Sequence, residues 1–297
     1  MKLFNMSIWP NELVHSIACR RCVLFFGAGV SMNSVGNGGV RPPSWASFLM
    51  EAASQIGASG KKIVKEINLL IKSGDYLTAA EVIRNEIKRE KFTNLVKARF
   101  HTPDFKAAPI HKTLFNLDLR IAITPNFDSI YETAAGERGA GALTTKTYDD
   151  DDIADCLRRH ERVLIKSHGT ISSPNKLIFT RTDYAKARNS HVQFYELLDA
   201  LLRTHTFVFI GCGVSDPDIR SLLENYRYRH PYGQSHYFVT ASKNFCSEVK
   251  FVLSESLKIN FIEYAATKDH ANLSKELESL KELVELERIE LSKNQAW

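Results

Sequence analysis

The stretch Val23 to Ser31, VLFFGAGVS, constrains this chain more than any other. An apolar run of this length, closed by Gly27 and followed by Gly29, reads as a strand buried on both faces that ends in a tight turn. Glycines at such a turn lack a Cβ, so main-chain N–H groups can approach a ligand phosphate, and a helix starting behind the turn adds its N-terminal dipole. Taken alone, the turn is equally the plain exit of a buried strand. A hydride-transfer fingerprint GxGxxG needs glycine where Met32 stands. Glu51, near the spacing of the acidic residue that accompanies that fingerprint, lies in SWASFLMEAASQI, which reads as helix. A dehydrogenase half-domain is therefore disfavoured.

Three later strands end in the same way. Arg120 to Thr124 runs into TPNFD, Arg162 to Ser167 into His168 and Gly169, and Thr206 to Ile210 into GCGVSD. In open parallel sheets, ligands sit outside the carboxyl ends of the strands, which places Asn126, Asp128 and His168 where chemistry would occur. Asn126 and Asp128 read either as caps of a helix from Ser129 onward or as site groups. His168 reads as a structural histidine or as a general base, and its position between a strand and a glycine favours the second. The turn at Gly211 and Gly213 leads into a helix, with Ser215 available for a ribose or phosphate.

Helical periodicity covers Trp9 to Arg21, Trp45 to Ile56 behind a Ser44 N-cap, and Lys61 to Phe100. Roughly 60 residues of helix between the first two core strands exceed what one crossover needs and predict an inserted helical subdomain. Shorter strands are expected at Thr144 to Tyr148, Leu177 to Thr180, His236 to Thr240 and Ile259 to Tyr264. A helix capped by Thr182 or Asp183 is expected to run through Leu202, and a charged amphipathic helix from Ala271 to Leu291 closes the chain. The loop Met32 to Pro43 folds over a nucleotide or lies open in solvent, and Arg41 within it is an anion contact or a surface residue. The expected architecture is one domain over 1–297: α/β, with a Rossmann-like, mostly parallel sheet, helices on both faces and a helical insertion over about 44–110.

Composition narrows the partners. The 39 Lys and Arg are scattered among 34 Asp and Glu, so the net charge of +5 marks no basic face, and nucleic-acid binding is not indicated. No apolar run approaches the roughly 20 residues of a membrane helix, and the N-terminal residues lack a cationic start followed by an apolar segment. A cytoplasmic protein with no membrane contact is expected. Cys19 and Cys22 form a lone CxxC with no second pair, and read as small apolar fillers rather than zinc ligands. Four adjacent carboxylates, Asp149 to Asp152, cannot converge on one ion and read as the start of a helix.

Together, GAGVS at 27–31, TPNFD at 124–128, HG at 168–169 and GCGVSD at 211–216 resemble, in order and spacing, the motifs of the Sir2 family. Deacylase members of that family carry a zinc ribbon after the histidine-glycine, whereas residues 170–205 here contain no cysteine, and Pro125 replaces the glutamine of the TQNID signature. Those departures, with Phe179 to Tyr184 similar to an FTxxDY segment, look like the prokaryotic Sir2-like NAD hydrolases of anti-phage defence. The resemblance implies an NAD+ glycohydrolase that releases nicotinamide and ADP-ribose without a metal. It assigns catalysis to Asn126, His168 and Asp128, and binding of NAD+ to Gly27, Ala28, Gly29, Ser31, Thr124, Gly211, Gly213 and Ser215. It also implies gating by homo-oligomerisation or by a partner such as a HerA-type ATPase. A non-catalytic NAD or ADP-ribose sensor is the alternative, with an NAD-dependent protein deacylase behind it.

Overall fold

In the computed structural model, residues 7–57, 60–137, 139, 143–159, 161–214, 216–267 and 270–293 are described. Helix α1 (Asn11–Ala18) leads into β1 (Cys22–Phe26), and the four-residue α2 (Ala28–Ser31) starts directly on Gly27. Four helices follow: α3 (Trp45–Ser54), α4 (Lys61–Lys72), α5 (Tyr76–Ile87) and α6 (Arg89–Phe100). Then come α7 (Pro109–Asn116), β2 (Ile121–Thr124), α8 (Ile130–Gly136), β3 (Thr144–Thr147), α9 (Ile153–Arg158) and β4 (Val163–Lys166). Helices α10 (Arg181–Ser190) and α11 (Val192–Thr204) precede β5 (Thr206–Ile210). The chain continues with α12 (Pro217–Arg229), β6 (His236–Ala241), α13 (Ser247–Leu257), β7 (Ile259–Tyr264) and α14 (Ala271–Lys293).

All pairings in the seven-stranded sheet are parallel, in the order β3-β4-β2-β1-β5-β6-β7. Period-two alternation sends Cys22, Leu24 and Phe26 of β1 to a layer built with α1, α7, α8 and α14. Val23 and Phe25 face the opposite layer, with α9, α11, α12 and α13. Burial on both faces explains why the central strands are uninterrupted apolar runs. Because β1 is flanked by β2 on one side and β5 on the other, the chain reverses its direction of winding there, and a crevice opens at the carboxyl ends of β1 and β5.

The inserted helices α3 to α6 have an apolar cluster of their own, centred on Phe48, Ile67, Ile83 and Phe92. Phe127, from the loop after β2, and Ile171 and Phe179, from the segment after β4, belong to the same cluster. The insertion is thereby seated over the carboxyl edge of the sheet. Its cluster ends with α6, because Ile110, Leu114 and Phe115 of α7 pack against the sheet.

Two local expectations need correction. Leu177 to Thr180 is a loop rather than a strand: Phe179 lies in the insertion cluster and Ile178 packs with Leu77 and Tyr184, so its apolar side chains serve packing without a neighbouring strand. The single helix expected through Leu202 is two, parted at His191, and the N-cap is Thr180, with Asp183 completing a capping box. Helix α13 escaped the sequence reading because Val249, Phe251 and Val252 are exposed and blur its amphipathic pattern. Among the described residues, no helix is long and apolar enough to cross a membrane.

His236 opens β6 and is buried, with Nδ1 accepting the Phe207 N–H at 3.2 Å. Burial, with Lys258 adding to it, pushes its pKa down to about 3. A depressed histidine pKa leaves the unfolded chain to take the proton first, so stability is full above the unfolded value near 6.5 and declines as pH falls towards 3. Each pH unit in that window removes up to about 1.4 kcal/mol. Replacing His236 by Asn, which retains an acceptor, is expected to flatten urea-unfolding stability between pH 6 and pH 4 by about 2 kcal/mol relative to wild type.

Candidate functional site

The glycine turns after β1 and β5 are built against each other. Gly27 N–H donates to the Ile210 carbonyl at 3.0 Å and Gly29 N–H to the Gly211 carbonyl at 2.9 Å. A Cβ on Gly27 would lie 2.7 Å from the Gly211 oxygen, and one on Gly211 would lie 2.7 Å from the Val30 nitrogen. Gly211 also has φ of +65°, in the left-handed region. The expected phosphate cradle is therefore modified: the N–H groups of Gly27 and Gly29 join the two turns, which brings the strand ends close enough to form one crevice. Gly211→Ala combines left-handed strain with a backbone clash and is expected to lower unfolding free energy by about 2–4 kcal/mol in urea titration.

Thr124 ends β2 beneath the surface. Its Oγ1 donates to the Phe26 carbonyl at 2.7 Å and accepts the Asn126 N–H at 3.1 Å, fixing the TPNFD loop to β1. From there a chain of hydrogen bonds joins the loop after β2 to the turn after β1. Asn126 Nδ2 donates to Ser31 Oγ at 2.9 Å, and Ser31 Oγ donates to Asp128 Oδ2 at 2.8 Å. Asp128 Oδ1 accepts the Ile130 N–H at 3.1 Å, so this carboxylate caps α8 and holds Ser31 at once. Ser31, Asn126 and Asp128 are all buried, where such bonds are stronger than in water.

Lys166, the last residue of β4, is a site residue that sequence reasoning missed. It is fully buried, and Nζ donates to the carbonyls of Phe127, at 3.3 Å, and of Asp128, and to Glu132 Oε1 at 2.8 Å. Burial raises the Glu132 pKa, with the Lys166 ammonium opposing it. The ammonium pins the loop that carries Asn126 and Asp128. His111 is also buried; burial lowers its pKa, and the Asp128 carboxylate opposes the shift.

His168 lies two residues beyond Lys166, whose register partner on β2 is Thr124, so His168 and Asn126 follow adjacent strands at one edge of the sheet. The imidazole is buried, with Nδ1 3.4 Å from the Tyr184 hydroxyl. A cavity of about 130 Å³ is lined by Gly27, Ala28, Ser31, Asn126, Asp128, Gly211 and Gly213, and by the aromatic rings of Trp45, Phe48, Phe100, Phe127 and Phe179. Pro42 and Pro43 also line it, so the loop after α2 reaches the site, while Arg41 is exposed and outside the wall. Thr124, Gly29 and His168 are also outside the wall, and Ser215 lies outside the described residues. A larger cleft of about 740 Å³ between α11 and α12 shares Ile219 with this cavity. Among the described residues, no group of three or more His, Cys, Asp or Glu side chains is placed to hold a metal ion.

The sequence profile of the SIR2-like domain matches residues 120–264. That segment, just under half of the chain, is similar to the SIR2-like domain. The matched span runs from β2 to β7 and contains Asn126, Asp128, His168 and Gly211; β1 and the Gly27 turn precede it and are inserted between β2 and β5 by strand pairing. Relatives of the chain include the NAD(+) hydrolase ThsA of Enterococcus faecium, 27% identical over 207 residues, covering 69% of this chain and 40% of the relative. The defense-associated sirtuin 2 of Bacillus subtilis is 26% identical over 216 residues, covering 72% of this chain and 20% of the relative. The NAD(+) hydrolase ThsA of Bacillus cereus (strain MSX-D12) is 25% identical over 240 residues, covering 80% of this chain and 46% of the relative. The chain thus spans less than half the length of these relatives.

Proposed function

We propose that this Sir2-like chain is an NAD+ glycohydrolase that releases nicotinamide and ADP-ribose and serves anti-phage defence by depleting NAD+. The observation that carries the reading is the bonded set Asn126–Ser31–Asp128 on the wall of the crevice between β1 and β5, in a chain whose relatives are named NAD(+) hydrolases. Nicotinamide leaves NAD+ as a neutral group from a cationic one, so its departure needs no proton and no metal. The protein's work is to place the ribose, admit one water and stabilise an oxocarbenium-like centre. In this reading Asn126 holds the water or ribose through its amide, Asp128 fixes Ser31, and His168 is the base. The aromatic wall excludes other water and offers flat faces to a planar ring. Gly211, Gly213 and Ser215 serve the adenosine side, and Ala28 and Ser31 the pyrophosphate.

Unrestrained hydrolysis would drain the host, so activity is gated by self-assembly or by a partner, in the cytoplasm. Leu286 and Ile289 on α14, and Met50 and Leu69 on the insertion, are exposed apolar residues suited to such contacts. Nicotinamide release is measured against protein concentration alongside light scattering. A specific activity that rises with oligomer fraction is expected; equal activity in a persistent monomer would remove self-assembly from the reading.

A non-catalytic NAD or ADP-ribose sensor is the second reading. It is favoured by one observation, that His168 stands outside the cavity wall that Asn126 lines. Tight NAD+ binding without product in any assembly state would select it.

A further inference from the structure

His111 is in the first turn of α7, only 1% exposed, and its Nδ1 accepts the Ala108 N–H at 3.2 Å. A main-chain N–H can only donate, so Nδ1 is the unprotonated nitrogen and Nε2 carries the proton. Burial holds the pKa of this imidazole below the usual histidine value, so at pH 7 the ring is neutral and Nε2–H is a fixed donor. Nε2 is buried with no hydrogen-bond partner among the described residues, and the same is true of Ser34 Oγ. Both groups stand close to Asp128. Helix α7 runs back to the start of β2 and α8 leaves its end, so both helices begin at the carboxyl edge of the sheet. Phe115 of α7 meets Tyr131 of α8 edge to face at 5.9 Å between centroids. His111 lies one turn before Phe115, and Asp128 three residues before Tyr131, which brings imidazole and carboxylate to one level. Ser34 donates its N–H to the carbonyl of Ser31, the partner of Asp128, at 2.9 Å, and the next residue, Val35, pairs with Lys106 in the segment that leads into α7.

We propose that His111 is a positioning residue of the site, acting through one buried water held between its Nε2–H, Ser34 Oγ and the Asp128 carboxylate. Asp128 is near enough to act on the charge of the imidazole, yet Nε2 bonds no protein group, and a single water spans that interval. Three polar partners are the usual complement of a buried water. The water accepts from Nε2–H and donates to Asp128. Oδ1 and Oδ2 already accept the Ile130 N–H and the Ser31 hydroxyl, and an ionised carboxylate has lone pairs for a further donor. Because Asp128 only accepts, Ser31 must donate to it, and the Ser31 oxygen in turn takes the bond from Asn126 Nδ2. That order leaves the Asn126 oxygen to accept from the reacting water or a ribose hydroxyl. Neither His111 nor Ser34 is on the wall of the cavity, so both act through Asp128 rather than on NAD+. The effect on turnover rests on the crevice being the hydrolytic site; the water site does not.

The test combines a crystal structure of the wild-type chain with steady-state NAD+ turnover in the assembled state. The crystal structure is expected to show an ordered water within hydrogen-bonding distance of His111 Nε2, Ser34 Oγ and an Asp128 oxygen. His111→Leu is expected to lower kcat about tenfold or more while KM for NAD+ stays within about threefold. His111→Gln, whose amide accepts the Ala108 N–H and donates to the water, is expected to stay within about threefold of wild type. On an Asp128→Asn background, His111→Leu is expected to add no more than about a twofold loss, because the carboxylate it serves is gone. If His111→Leu does not fold, Ser34→Ala takes its place in the same cycle. A crystal structure in which Nε2 bonds a protein group, with no water joining it to Asp128, overturns the water site. Wild-type kcat in His111→Leu, His111→Gln as slow as His111→Leu, or full multiplication of the losses with Asp128→Asn overturns the positioning role. If wild type releases no nicotinamide while the water is in place, the hydrolytic reading fails and the water site stands.

Discussion

Replacing Lys166 by Met is expected to lower the unfolding free energy by about 3–5 kcal/mol, the cost typical of removing one partner from a buried pair. Methionine keeps most of the apolar stem, so the loss reports the ammonium. Without it, two carbonyls of the Phe127–Asp128 segment lose their donor and Glu132 loses its counter-charge. Each orphaned buried acceptor costs about 1–3 kcal/mol, which accounts for the total without appeal to the ion pair alone. Adding Glu132→Gln to Lys166→Met is expected to recover part of the loss, because a neutral amide at that position no longer needs a cation. Urea titration of the four proteins of this cycle gives the coupling energy directly. Equal stability of Lys166→Met and wild type would show that the loop carrying Asn126 and Asp128 holds itself in place without the lysine.

His168→Ala is expected to reduce nicotinamide release by on the order of 10² to 10⁴, the range general-base catalysis contributes. The substitution vacates a buried site against Tyr184 but leaves the Asn126–Ser31–Asp128 set and the cavity wall in place. NAD+ affinity measured by calorimetry is therefore expected to change little, which separates loss of chemistry from loss of binding. Normal turnover by a folded His168→Ala protein would remove the histidine from the mechanism.

Much of this was legible in the sequence because the strands are buried on both faces. VLFFGAGVS, the run before TPNFD and the run before HG are short apolar runs bounded by glycine, proline or polar residues, the pattern of strands buried on both faces. The direct contacts were not legible, because they join distant segments. Lys166 reads as the polar end of a strand until the Asp128 carbonyl, 38 residues earlier, is seen to cover it. Arg84 and Asp183 lie 99 residues apart, and Asp183 reads only as a helix cap until the guanidinium is seen against it. The two glycine turns looked like independent cradles, whereas their glycines are needed for mutual approach. LIFT has strand-forming residues but no strand beside it, and tertiary packing overrode its propensity.

Chromatographic measurement of nicotinamide formed from NAD+ by the wild-type chain, beside Asn126→Ala, both in the assembled state, bears most directly on the crevice as a hydrolytic site. Steady release by wild type, falling by about 10²-fold when the Asn126 amide is removed and NAD+ still binds, is the expected result. Equal release by the two proteins, or NAD+ bound by wild type with no nicotinamide formed, would contradict it.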